Sequence, residues 1–104
     1  MSFRIDYPHR LPIDDARERM RALGDYLANK HGLRVSWTGE NSASISGRYL
    51  VVSIEGTVSV EASQVRFDGK DPGMLWRGKA RDYLTQKLSE YLDANKSTAS
   101  LARA

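Results

Sequence analysis

The apolar residues of this chain change their period three times, and each change fixes what the following segment can become. Phe3, Ile5 and Tyr7 alternate with Arg4 and Asp6, the period-two pattern of a strand with one buried face, and Pro8 stops it. From Ile13 the spacing becomes three and four, so that Ile13, Ala16, Met20, Leu23 and Leu27 share one arc of a helix. Asp14, Asp15 and Glu18 occupy its first turns, where the helix dipole favours carboxylates, and Gly32 supplies a stop. A helix is therefore predicted over 13–31.

Period two returns with Leu33, Val35 and Trp37, which alternate with polar residues up to the turn Gly39-Glu40-Asn41. Ala43 and Ile45 head a return strand, and Gly47-Arg48 reads as a second turn. Leu50, Val52, Ile54, Val58 and Val60 then keep one parity through a long strand, 49–60, with Gly56 marking a bend or bulge. Val65 and Phe67 form a last strand, closed by the loop Asp68-Gly69-Lys70-Asp71-Pro72-Gly73. Helical spacing recurs over 75–94, where Trp76, Ala80, Tyr83, Leu84, Leu88 and Tyr91 share a broad face.

The expected fold class is α+β: an antiparallel sheet of about five strands with two amphipathic helices on one face, in the order β-α-β-β-β-β-α, and a polar opposite face. A chain of 104 residues is long enough for one core and too short for two, which gives a single domain over 1–95. Residues 96–104 show neither a period nor a cluster of bulky side chains and are expected to form a flexible tail.

Function is constrained mainly by exclusion. With no cysteine there is no disulfide framework, thiolate metal site or thiol nucleophile. The alternating start lacks the apolar run of a secretory signal, and the run Tyr49-Leu50-Val51-Val52 falls far short of a membrane span, so a cytoplasmic chain is expected. The net charge is +3, but the sixteen basic residues split evenly between 1–48 and 49–104 with acids interleaved, which does not favour nucleic acid as a partner.

His9 lies between prolines, where an imidazole can bond turn backbone, and His31 ends the apolar arc of the first helix; both fit structural roles better than catalysis. No serine sits in a nucleophile elbow and no glycine-rich loop precedes a helix. No catalytic, cofactor-binding or metal residue is assigned, and no enzymatic activity is expected. Trp37 is expected to plug the core, with Gly39 allowing close approach. Lys87, within the apolar arc of the second helix, can pack its stem and keep its ammonium in water.

The start of the second helix supplies the surface-binding candidates. Met74 and Leu75 point away from the arc that holds Trp76, forming an apolar lip. Arg77, Lys79 and Arg81, with Lys70 before them, place cations where the helix dipole disfavours them, which hints at an anionic partner.

Three signatures occur in fixed order: Pro8-His9-Arg10-Leu11-Pro12, Trp37-Thr38-Gly39-Glu40, and Gly56 followed by alternating valines, with Ala16-Arg17 between the first two. Over residues 3–93 the chain resembles the polyhydroxyalkanoic acid system proteins, in which such motifs recur at similar spacing. It departs from them at 68–73, where a polar loop replaces a more apolar approach to the second helix. The resemblance implies a non-catalytic accessory protein whose partners are the surface of polyhydroxyalkanoate granules or granule proteins. Two alternatives rest on the residues alone: a homodimeric interaction module using the sheet edge or polar face, from the long strand 49–60, and a nucleic-acid-binding regulator using Lys70, Arg77, Lys79 and Arg81.

Overall fold

A computed structural model describes residues 2–49 and 51–104. Its elements are β1 (Ser2–Pro8), α1 (Ile13–His31), β2 (Arg34–Trp37), β3 (Ser42–Tyr49), β4 (Val52–Val60), β5 (Gln64–Lys70) and α2 (Met74–Tyr91). All strand pairs are antiparallel, in the spatial order β1-β5-β4-β3-β2. This is the α+β fold that the periodicity predicts, with both helices on one sheet face. Phe3, Ile5, Ala43, Ile45, Val60, Val65 and Phe67 are buried from the sheet side, and Ala16, Met20, Leu23 and Leu27 from α1. The opposite face carries exposed Arg4, Asp6, Ser36, Ser53, Glu55, Thr57 and Asp68.

The two ends of the sheet differ in character. At one end the loops are tied together through polar groups. The Leu11 N–H donates to His9 Nδ1 at 3.1 Å, which leaves Nε2–H to donate to the Glu61 carbonyl at 2.9 Å. Both ring nitrogens of this buried histidine are thereby used to join the β1–α1 and β4–β5 turns. Arg17 reaches from α1 to Asn41 Oδ1 at 2.9 Å, beside Glu40. The proline-histidine, Ala16-Arg17 and tryptophan-glycine-acid signatures thus sit at this end and hold loops. The other end contains the start of β1, the β3–β4 connection, the end of β5 and the start of α2, and it is far less tightly packed.

Several expectations are corrected. Gly47-Arg48 is no turn: both lie within β3, and Gly47 (φ 146°) is a close-approach position, since a Cβ there would stand 3.0 Å from Leu33 Cδ2. Gly56 marks no bulge, because the register of β4 with both neighbours runs through it unbroken. Asp68, Gly69 and Lys70 belong to β5, leaving only 71–73 as loop. The long strand offers no edge for dimerisation, since β4 lies between β3 and β5. Leu50, assigned to that strand, lies outside the described residues.

Trp37 is half-buried rather than a plug, with the Arg21 guanidinium 4.4 Å above its ring. The nearby glycine that admits close packing is Gly24, where a Cβ would stand 3.1 Å from Val35 Cγ1; at Gly39 only Ser42 Oγ lies near, at 3.5 Å. Lys87 packs its stem as expected, but its ammonium does not stay in water: the side chain is 16% exposed, with Nζ 4.4 Å from the centre of the Tyr26 ring and 3.8 Å from Glu90.

The segment 96–104 is not a loose tail. It forms a single 3-10 turn, Thr98–Ser100, and returns along α1 with Leu101 buried. Arg103 pairs with Asp25 at 2.6 Å, Asn29 donates to the Arg103 carbonyl at 2.8 Å, and the Tyr91 hydroxyl donates to the Ala102 carbonyl. The anchor is one leucine, one ion pair and backbone carbonyls, which a search for an apolar period does not detect.

Candidate functional site

At the loosely packed end, an open cavity of about 410 Å³ lies between the first half of α2 and the sheet. Its origin can be read from the register. Across the inner face one row of the sheet reads Phe3, Gly69, Gly56, Ile45 and Val35, each opposite the next. The second and third positions carry no side chain. The Phe67 ring lies over both glycines: a Cβ on Gly56 would stand 2.7 Å from Phe67 Cζ, and one on Gly69 would stand 3.1 Å from it. The result is a shallow trough in the sheet, floored by one aromatic ring.

Above the trough α2 stands off. Only Leu88 and Tyr91 of this helix are buried, while Trp76, Ala80, Tyr83 and Leu84 are half-buried and line the cavity. Short Ala80 at the helix side and the paired glycines at the sheet side leave the space between them open. Tyr49, Val52 and Ile54 of the β3–β4 hairpin form a second wall, and Leu27, His31 and Leu33 a third. The lining is overwhelmingly apolar.

Few polar groups line the wall, and two of them, His31 and Tyr83, engage each other. His31 Nε2 lies 2.9 Å from the Tyr83 hydroxyl, and its ring meets those of Tyr49, Tyr83 and Tyr26 edge-on at 5.0, 5.9 and 6.0 Å. Burial pushes the Tyr83 phenol up to about 12, so it stays protonated, and the imidazole tautomer sets which of the two groups donates in this bond. Burial first, then the charges of Lys30 and Lys87, lowers His31 from its ordinary value of about 6.5. Above that ordinary value the imidazole is neutral in both folded and unfolded chains, and the fold retains its full stability. As the pH falls through it, the unfolded chain takes a proton that the folded chain resists, and stability is lost until the folded value is passed. Parent protein is therefore expected to lose more of its melting temperature between pH 7 and pH 5 than His31→Asn, measured side by side. Equal losses would show that His31 contributes nothing to the pH dependence.

The six surface candidates divide into three pairs. Met74 and Leu75 are 85% and 86% exposed, as a lip requires. Trp76 and Lys79 line the cavity, with the Lys79 ammonium 5.6 Å from the centre of the Trp76 ring. Arg77 and Arg81 are engaged within the chain: Arg77 forms a two-pronged pair with Asp71 at 2.6 and 3.2 Å, and Arg81 lies over the Phe3 ring and reaches the Arg4 carbonyl. Asp71, which also accepts the Gly73 N–H at 2.9 Å, is the anion that the α2 dipole and Arg77 meet. Arg77 and Asp71 hold each other charged, the aspartate lowered and the arginine raised. The expected four-cation cluster is thereby reduced to Lys70 and Lys79, neither ion-paired among the described residues.

The trough is only half visible in the sequence. Val65, Phe67 and Gly69 share one parity, and so do Ile54, Gly56 and Val58, a signal that two glycines occupy inner positions. Their meeting across one row depends on the hairpin register, which a composition of turn residues does not reveal.

An antiparallel sheet carrying two helices over an open apolar cavity defines a small α+β domain of the cavity-bearing kind. The model of the family described as "Putative polyhydroxyalkanoic acid system protein" matches residues 3–95, and the chain belongs to that family. It matches no curated protein and no solved structure. Among the described residues no helix is long and apolar enough to cross a membrane, and no group of three or more His, Asp or Glu side chains could hold a metal ion.

Proposed function

We propose that this chain is a non-catalytic cytoplasmic accessory protein that binds the surface of polyhydroxyalkanoate granules with the cavity end of the fold. One observation carries this reading. Among the described residues the exposed large hydrophobic side chains, Tyr49, Val51, Met74 and Leu75, all lie at that end, two at the hairpin tip and two at the start of α2. Apolar side chains scattered singly over a surface need no explanation, but four around one open apolar mouth form a contact patch. Lys70 and Lys79 beside it supply the basic rim suited to an interface bearing anionic groups. Family membership supplies the polyester context. The engagement of both His9 nitrogens with backbone, and of His31 with Tyr83, supports a binding role over catalysis.

Leu75→Asp tests the proposal. At 86% exposure the substitution is expected to change stability by less than about 0.5 kcal/mol. It is also expected to reduce co-sedimentation of the purified protein with isolated granules several-fold, and Met74→Asp/Leu75→Asp to reduce it further. A folded double variant that sediments like the parent would overturn the assignment of this patch.

A further inference from the structure

The cavity suits a smaller ligand than a granule, and the proposal for it stands on geometry independent of the granule reading. We infer that it is a binding site for a single-chain acyl carboxylate, the hydrocarbon chain lying over Phe67 and the carboxylate at the mouth near Lys70 and Lys79.

Volume sets the class of ligand. About 410 Å³ lies within the range of small-molecule pockets and well above what one or two ordered waters fill. Shape narrows it. Leu27, Ile45, Phe67 and Leu84 line both this cavity and a second void of about 40 Å³ that reaches between α1 and the sheet. These four side chains stand between the two spaces, so the inner end of the cavity is bounded by apolar side chains rather than by polar backbone, which suits the end of a hydrocarbon chain.

Polarity narrows it further. Along the inner wall the Tyr83 hydroxyl and His31 satisfy each other, so the interior offers little to a ligand with polar groups along its length. Charge is found instead at the mouth, which Lys70 and Lys79 line; the one acidic residue that borders it, Glu55, belongs by strand parity to the opposite face. The nearby arginines are already engaged: Arg77 pairs with Asp71 at 2.6 Å, and Arg81 lies over the Phe3 ring and reaches the Arg4 carbonyl. Two lysines against one carboxylate leave the mouth net positive, complementary to an anionic head on an apolar tail.

The test uses the full chain carrying Trp37→Phe. Trp37 lies beside Arg21 at the opposite end of the sheet, so Trp76 in the cavity wall becomes the reporter. Decanoate, titrated below its micellar concentration with no granule present, is expected to bind saturably at one per chain and to shift Trp76 emission. Decan-1-ol should bind about tenfold more weakly, the loss expected for a charge-assisted contact. Lys70→Gln/Lys79→Gln should abolish that preference. Ala80→Phe and Val52→Phe, two independent ways of filling the cavity, should each weaken decanoate at least about tenfold with far-ultraviolet circular dichroism unchanged.

The proposal is overturned if decanoate shows no saturable binding, or if both filled variants, shown to be folded, bind it like the parent. It is also overturned if anionic phospholipid vesicles bind while monomeric decanoate does not, because the ligand would then be a membrane surface. Since the titration contains no granule, its failure and the failure of the granule reading are separate results.

Discussion

Replacing Arg19 with alanine is expected to lower the unfolding free energy by about 3–5 kcal/mol, among the largest single-residue effects in this chain. Arg19 is 4% exposed and spends its whole guanidinium on the protein. Nε donates to Asp15 at 2.9 Å, one terminal nitrogen to the Tyr91 and Asp93 carbonyls at 3.2 and 2.8 Å, and the other to the Lys96 carbonyl at 2.5 Å. The last carbonyls of a helix have no partner within it, and here a side chain from the antiparallel neighbour satisfies that of Tyr91 and two more in the segment that follows α2. Alanine would leave Asp15 without its cation and three carbonyls without a donor. Lysine keeps the charge but not the fork, so Arg19→Lys should fall between.

The same residue governs the C-terminal segment. Truncation after residue 95 removes the burial of Leu101, the Arg103–Asp25 pair and one of the Arg19 acceptors, at an expected cost of about 2–3 kcal/mol. Because Arg19 and this segment share a contact, the combined change should cost less than the two added, as urea denaturation of a double-mutant cycle would read. Parent-like stability of the truncated chain would show that the docked segment holds nothing. Family similarity ends at residue 95, so the chain's own sequence, rather than the shared motifs, closes this flank of α1.

What the sequence shows and conceals follows from this physics. Helix α1 was legible to the residue because its arc, its acidic first turn and Gly32 act on the same stretch. Strand order around β4 was partly legible, since hairpins make sequence neighbours into spatial neighbours. The glycines were not. Gly47, Gly56 and Gly69 look like turn residues in one dimension, yet each sits inside a strand where another group approaches closely. Arg19 looked like any charged helix residue, because its partners are backbone carbonyls, and side-chain identity carries no trace of them.

For the cavity floor, Gly69→Ala is expected to cost about 3 kcal/mol, near the upper end of overpacking effects, and Gly56→Ala clearly less. The two positions face each other in one row, but their neighbours differ in what can yield. A Cβ on Gly69 would overlap the Glu55 carbonyl oxygen and stand 3.0 Å from Gly56 Cα, both backbone atoms of β4. Relief there requires the β4–β5 ladder to part at its cavity end. A Cβ on Gly56 would meet first the far edge of the Phe67 ring, at 2.7 and 2.9 Å, and only then the Asp68 carbonyl at 3.1 Å. That ring borders open space and can tilt into it. Gly56→Ala should therefore shrink the cavity more than it destabilises the fold, and Gly69→Ala should do the reverse. Equilibrium unfolding ranks the two costs, while decanoate affinity in the Trp37→Phe background reads the volume. Equal destabilisation by the two substitutions would mean that the Phe67 ring is held as rigidly as the strand beneath it, and that the cavity floor is fixed rather than adjustable.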